Sequence, residues 1–238
     1  MRRPGGSRSA GNSPRRYNRE TFTSPNLLLV EGPDEFQFFR FLRPRDDVQI
    51  HVYEGKNQLQ LELRTIREVE GYDQIKRVAI VRDADTDPTA AVQSVLTQWA
   101  LALDESVPRA NSDQWFGDSE GRKWSVWIMP DPDTEGDLEA LLWRTIDQSD
   151  HRTCIEDLIT CLDNCDPVPF STKTKARLYS WLSTQHEPLK ELYAALTRER
   201  VFSMRLIPPL LDLLHWSITW RDSSLRMKTN EADVVRAL

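Results

Sequence analysis

Short apolar runs that favour β-strands alternate with amphipathic stretches through the first two thirds of the chain. Such alternation is typical of βαβ units, in which helices connect parallel strands. It predicts an α/β fold with a mostly parallel four-stranded sheet flanked by helices, and it marks the polar segment 106–122 as a loop or insertion. The strand patterns cover residues 26–30, 48–53, 77–81 and 124–129, and the helical patterns cover 34–42, 59–69, 88–103 and 137–146.

Strand signals disappear after residue 150, and four helical patterns follow at 151–165, 172–185, 188–199 and 204–220. They predict an all-helical C-terminal part. The first residues are rich in Arg, Gly, Ser and Pro, and the last are polar, so neither end is expected to pack. The predicted divisions are a disordered basic arm (1–24), an α/β domain (25–150), a helical part (151–220) and a flexible tail (221–238).

Composition predicts a folded cytoplasmic protein without membrane contact. The chain is 39% hydrophobic with eight Trp, and no apolar stretch approaches the about 20 residues that span a bilayer. The first residues lack the apolar segment of a secretory signal. Three cysteines, Cys154, Cys161 and Cys165, form no disulfide framework. Their helical spacing favours buried packing over zinc binding.

Charge is divided unevenly along the chain. Six of the 31 basic residues and one of the 37 acidic residues fall within the first 20 positions, which leaves 25 basic and 36 acidic residues in the body. An acidic body argues against a protein that binds nucleic acid by simple electrostatic attraction. It is compatible with an enzyme whose carboxylates hold a metal ion, because the ion then supplies the local positive charge.

Acidic residues stand where two of the apolar runs stop. Glu31 follows the first run, and Asp83 and Asp85 follow the third. The C-terminal ends of parallel strands are where open α/β sheets bind their ligands. Side chains alternate along a strand, so Asp83 and Asp85 are expected on one side. Three converging carboxylates suit a hard cation such as Mg²⁺, although an isolated pair of aspartates is also a common capping pattern.

Two lysines, Lys56 at the same edge and Lys173 in a later helix, are candidates for phosphate binding. Lys56 lies in a turn after the second strand. Lys173 and Lys175 lie in the first turn of a later helix. Positive charges at that position oppose the helix macrodipole, so these lysines favour a role that lies outside the helix itself. Any of the three is also an ordinary surface or turn residue.

Two segments, LLLVEGPDEFQFF and VAIVRDADTDP, resemble the Toprim domain of topoisomerases, DnaG-type primases, small nucleases and the OLD (overcoming lysogenization defect) nucleases. Together with MPDPDTEGDLEALL and STKTKARLYSWL, they resemble small stand-alone Toprim-like proteins related to the Toprim part of OLD nucleases. The resemblance to the Toprim domain covers about residues 26–147 and implies a Toprim-like, Rossmann-like fold.

The resemblance also implies roles for individual residues. Glu31 would be a metal ligand or general acid/base, and Asp83 and Asp85 would be metal ligands. Asp131, Asp133 and Glu139 would hold a second metal, although acids near a helix start also stabilise the helix. Lys175 would stabilise charge in the transition state.

Three functions follow as hypotheses. The first is hydrolysis of nucleic-acid phosphodiesters with one or two Mg²⁺ or Mn²⁺ ions. The second is a non-catalytic binding or sensor module that works with a partner such as an ATPase, since the chain has no P-loop motif of its own. The third takes Asp83 and Asp85 as the nucleophile motif of a haloacid-dehalogenase-like phosphatase. It leaves Glu31 unexplained, and that motif normally follows the first strand.

Overall fold

A computed structural model describes residues 21–42, 48–146, 150–165 and 170–184. The helices predicted at 188–199 and 204–220, the tail 221–238 and the arm up to residue 20 lie outside the described residues. Within the described ranges, no helix has the length and apolar character needed to cross a membrane.

The sheet has five strands in the order β2-β1-β3-β5-β4. The first four in that order are parallel, and β4 is antiparallel to β5. The predicted α/β class with a mostly parallel sheet is therefore confirmed, but the prediction of four strands and of a loop over 106–122 missed β4. The strands are β1 (Asn26–Val30), β2 (Val48–Val52), β3 (Arg77–Asp83), β4 (Trp115–Gly117) and β5 (Lys123–Met129).

The strand β4 has only three residues, all at least partly exposed, so it carries no apolar run that a sequence pattern could detect. Its conformation comes from pairing with β5, in which Trp115 lies opposite Ser125 and Gly117 opposite Lys123. Tertiary pairing therefore decides the structure of this segment, against its local composition.

In the described part of the chain, six helices accompany the sheet: α1 (Pro33–Leu42), α2 (Leu59–Thr65), α3 (Pro88–Leu103), α4 (Leu138–Thr145), α5 (Asp150–Cys165) and α6 (Phe170–Ser183). The helical pattern 59–69 divides into α2 and a 3₁₀ turn at Ile66–Glu68, and a second 3₁₀ turn follows at Tyr72–Gln74.

The three cysteines of α5 are free and exposed, so the expectation that they are buried is wrong. Ile155 and Ile159 form the buried face of that helix instead.

Each face of the sheet is covered by its own hydrophobic core. Residues of α1, α4, α5 and α6 pack on one face, and residues of α2 and α3 pack on the other. Along β3, Ala79 and Val81 belong to the first core, whereas Val78 and Ile80 belong to the second. The period-two alternation of a strand explains this division.

The connections of β1 leave the C-terminal edge of the sheet in opposite directions. β1 lies between β2 and β3, so the chain moves to one side of β1 through α1 and returns to the other side through α2. Such a reversal of strand order is a topological switch point, where open α/β sheets bind ligands. Glu31 directly follows β1 and Asp83 ends β3, so the fold places both at this switch point.

Candidate functional site

Glu31 and Asp83 each carry a buried carboxylate oxygen without a hydrogen-bond partner. These oxygens are Glu31 Oε2 and Asp83 Oδ1, and neither has a partner among the described residues. Burial raises the pKa of both carboxyls, that of Asp83 well above its usual range. Buried polar atoms are normally satisfied, because leaving one unpaired costs stability. Two such oxygens at one switch point therefore indicate a ligand site.

Two further carboxyls join them from neighbouring helices. Glu35 lies in the first turn of α1, and Glu139 lies in the first turn of α4. After burial, the charges of Glu35 and Glu31 are the next causes that raise the pKa of Asp83, and Glu139 also contributes. The four side chains, Glu31, Glu35, Asp83 and Glu139, are called the carboxylate cluster below.

Glu35 was not predicted as a site residue. Burial raises its pKa to about 7, and the charges of Glu31, Asp34 and Glu139 add to the rise. A sequence signal was present, because Glu35 lies four residues after Glu31 and Pro33 starts a helix between them. Acidic residues are so common in the first turn of a helix that this spacing alone does not mark Glu35 as a site residue.

Backbone hydrogen bonds join the loops that carry the cluster. Asp85 N donates to Gly136 O and Gly136 N donates to Asp85 O, each over 2.8 Å. A Cβ at Gly136 would lie 2.9 Å from both Pro130 and Ala140, and its φ of +144° also favours glycine. The loop after β3 is thereby fixed against the start of α4, which brings Glu139 to Asp83.

Asp137 links α4 to α6. Its Oδ1 accepts a hydrogen bond from Ala140 N over 2.9 Å, and its Oδ2 accepts one from Thr174 Oγ1 over 3.0 Å. The first bond caps the N-terminus of α4, and the second docks α6 beside it. This docking sets the position of Lys175, the next residue along α6.

Lys175 reaches the carboxylate cluster. Its Nζ lies 3.5 Å from Glu139 Oε1. The negative charge of Glu139 is the main cause that raises the pKa of Lys175, and Asp137 and Asp83 also contribute. Lys173 is placed differently, because its Nζ lies 2.7 Å from Asp163 Oδ1 on α5.

Asp85 lies at the same edge but in a different environment from Asp83. The strand ends at Asp83, and Asp85 has a φ of 52°, so strand alternation does not extend to it. Its carboxylate forms an ion pair with Lys56, and both side chains are partly exposed. The charge of Asp85 still contributes to the raised pKa of Glu31. Asp85 therefore belongs to the margin of the cluster, with Lys56 as its counter-ion.

Asp131 and Asp133 belong to a separate hydrogen-bonded loop. Asp131 accepts hydrogen bonds from Thr134 Oγ1 over 2.6 Å and from Asp133 N over 2.9 Å, and it forms an ion pair with Arg144. Burial alone would raise the pKa of Asp131, but the bonds from Thr134 and Arg144 outweigh it and lower the pKa. The structure thus gives Asp131 a role within its own loop and leaves Asp133 exposed.

The chemistry of the cluster fits a hard divalent cation. Among the described residues, no group of three or more His, Cys, Asp or Glu side chains is arranged to hold a metal ion as it stands. Mg²⁺, however, is commonly held by one or two carboxylates, with waters and substrate phosphate oxygens completing its coordination. The unpartnered oxygens of Glu31 and Asp83 supply two such donors, and a cation would relieve the repulsion within the cluster.

Comparison with known proteins assigns the chain to a family. Residues 25–215 match the family model described as "Protein of unknown function (DUF3226)". No curated protein and no solved structure gives a significant match. The matched region contains the whole sheet, the carboxylate cluster and Lys175. Since the match covers most of the chain, the protein belongs to the DUF3226 family.

Proposed function

We propose that this protein hydrolyses phosphodiester bonds of nucleic acid with the help of Mg²⁺ or Mn²⁺, as a nuclease of Toprim and OLD-like type. The observation that carries the proposal is the carboxylate cluster at the switch point, where Glu31 and Asp83 present unpartnered buried oxygens. Carboxylates suit a metal that in turn binds phosphate oxygens. Lys175 adds a positive charge beside them.

In this proposal Glu31 and Asp83 would hold the cation, which when bound polarises the phosphate and lowers the pKa of water. Glu35 would accept or donate a proton, because a group with a pKa of about 7 exchanges protons near neutral pH. Lys175 would stabilise negative charge on the phosphate oxygens, and its contact with Glu139 holds it in place. Glu139, Asp85 and Lys56 would border the substrate.

A non-catalytic module that works with a partner protein is the alternative from another class. The ion pair of Asp85 with Lys56 favours it, since one predicted ligand is already neutralised by the chain itself. It predicts that the protein binds a cation or nucleic acid without turnover.

The phosphatase alternative ranks last, because Asp83 ends the third strand of the sheet, away from the first-strand position of that motif.

The experiment that tests the proposal is cleavage of single- and double-stranded DNA and RNA by the full chain, with Mg²⁺ or Mn²⁺ and with a chelator. We expect metal-dependent cleavage by the wild type and a loss of about 100-fold or more in Glu31→Gln and in Asp83→Asn. Asp73→Asn, an exposed aspartate in the second 3₁₀ turn, is the matched control and is expected to cleave normally.

Circular dichroism and thermal unfolding would establish that each variant is folded. Cleavage at the wild-type rate by both cluster variants would contradict the proposal. Metal binding without turnover on any of the four substrates would instead favour the binding module.

A further inference from the structure

Arg82 is a buried arginine that leaves two of its donor nitrogens unused. It lies in β3 with 6% of its surface exposed, and its Nε and Nη1 have no hydrogen-bond partner among the described residues. A guanidinium remains charged at all physiological pH values, and burying a charge without a partner is costly. An arginine held in this state therefore points to an anion that binds there.

The position of Arg82 relates it to the carboxylate cluster. The register of β1 and β3 pairs Leu29 with Ile80, so Glu31, two residues further along, comes level with Arg82. The positive charge of Arg82 is the main influence that opposes the raised pKa of Glu31. Alternation along β3 directs Arg82 and Asp83 to opposite faces of the sheet. Glu31 thus lies near both the buried guanidinium of Arg82 and the buried carboxyl group of Asp83.

Two other acidic groups at this edge of the sheet, Tyr53 and Asp85, are not ion-pair partners of Arg82. Tyr53, whose pKa is also influenced by Arg82, is fully buried, and its hydroxyl donates to Val81 O over 2.9 Å. Burial raises the pKa of Tyr53 well above its usual range, so this phenol stays neutral. Asp85, at the same edge, is paired with Lys56.

We propose that Arg82 binds a phosphate group of the substrate beside Glu31. This inference rests on the proposed function and specifies its substrate contact. The planar guanidinium presents parallel N–H donors that match the oxygens of a phosphate, and this geometry makes arginine a preferred phosphate ligand. A phosphate held there would lie next to Glu31, one of the two carboxylates that are proposed to hold the cation.

The test measures phosphate binding without catalysis. Inorganic phosphate is titrated into the full chain in the presence of a chelator and at constant ionic strength, and thermal unfolding and calorimetry report binding. We expect phosphate to stabilise the wild type and Arg82→Gln to bind it about tenfold or more weakly, the loss expected for one charged hydrogen-bonding group.

Arg122→Gln is the matched control. Arg122 is also buried, with 8% of its surface exposed, but it is paired with Glu120 and Asp118 just before β5, at the other edge of the sheet. We expect this variant to bind phosphate as the wild type does, even though it loses a buried arginine.

Arg82→Lys covers the case in which Arg82→Gln does not fold. It keeps the charge but loses the planar donors, so its phosphate affinity should fall several-fold. A wild type that gains no stability from phosphate would show that Arg82 only balances the charge of Glu31, and this would overturn the inference. Wild-type phosphate affinity in the folded Arg82 variants would overturn it as well.

The two proposals fail separately. Cleavage that depends on Asp83, with unchanged phosphate affinity and KM in Arg82→Gln, would remove the role of Arg82 and leave the proposed function intact. Phosphate binding that depends on Arg82, in a protein without nuclease activity, would remove the proposed function and leave a phosphate site.

Discussion

Glu35 is surrounded by features that favour its protonated form. Burial raises its pKa to about 7, and the nearby charges of Glu31, Asp34 and Glu139 act in the same direction. In the unfolded chain the same group has a pKa near the ordinary value of 4.5. Between these two values the folded state binds more protons than the unfolded state, so the free energy of unfolding falls as pH rises.

Replacing Glu35 with Gln should therefore stabilise the protein at neutral and alkaline pH in the absence of metal. The stabilising effect of the raised pKa of Glu35 is fully present below about pH 4.5 and is lost as pH rises to about 7. This loss lowers the free energy of unfolding by up to about 3 kcal/mol in total. The free energy of unfolding, measured with urea from pH 4 to pH 8 in chelator, should fall less steeply in Glu35→Gln than in the wild type.

Glu68→Gln provides the control for this measurement, because Glu68 is exposed and lies in a 3₁₀ turn after α2. Its profile should follow that of the wild type. Parallel profiles for Glu35→Gln and Glu68→Gln would mean that Glu35 is not held in a protonation-favouring environment.

Single residues also show where sequence reasoning ends. Glu31 and Asp83 could be predicted as neighbours, because apolar strands that stop at acids place those acids at one edge of a parallel sheet. The pairing of Asp131 with Arg144 could not be predicted, since it depends on how a loop folds back on α4. Nor could the counter-ion of Asp85, because the positive φ of that residue ends the alternation on which the prediction relied.

At the scale of elements, two helices begin with the same cap but in different surroundings. Asp87 caps α3 by accepting a hydrogen bond from Ala90 N over 2.9 Å, and it is exposed. Asp137 caps α4 in the same way, but it is buried and also accepts the bond from Thr174. A comparison of Asp87 with Asp137 therefore separates the effect of a helix cap on stability from the effect of docking α6.

Asp137→Ala should destabilise the protein more than Asp87→Ala does. The loss of a cap costs about 1 kcal/mol, and the loss of the hydrogen bond between Thr174 and Asp137 adds about 0.5–1.5 kcal/mol. Urea unfolding of both variants measures the difference. Equal losses would show that the Asp137–Thr174 bond contributes nothing to the docking of α6.

The elements themselves were predictable to different degrees. The bounds of α3 agree with the sequence pattern, because Asp87 and Pro88 mark its start and an apolar face runs to its end. The strand β4 was missed because its conformation depends on a partner strand that follows it in the chain. Local patterns thus identify elements with a hydrophobic face of their own and overlook those held mainly by pairing.

Across the whole molecule, the carboxylate cluster opposes folding when it is ionised. Asp83 illustrates this, because burial and the charges of Glu35 and Glu31 all favour its neutral form. Burial and repulsion of these carboxylates destabilise only the folded state, because the groups separate in the unfolded chain. A cation that binds only the folded state would reverse the balance.

Asp83→Asn should therefore melt at a higher temperature than the wild type in chelator and gain less from added Mg²⁺ or Mn²⁺. A cation present at about 100 times its dissociation constant stabilises the wild type by about 2.7 kcal/mol. Differential scanning calorimetry with and without the metals measures both effects. Asp73→Asn should resemble the wild type in each condition, and an Asp83→Asn variant that gains as much from metal as the wild type would refute the expectation.

The mutual hydrogen bonds between Asp85 and Gly136 involve main-chain atoms only. The contact between these two loops is thus made without the side chains of the carboxylate cluster. Under the proposed function, a relative with amides at positions 31 and 83 would keep the same outline and would lack the two oxygens proposed to hold the cation. The backbone alone would therefore not distinguish a relative that has these carboxylates from one that lacks them, and the residues at the two positions would.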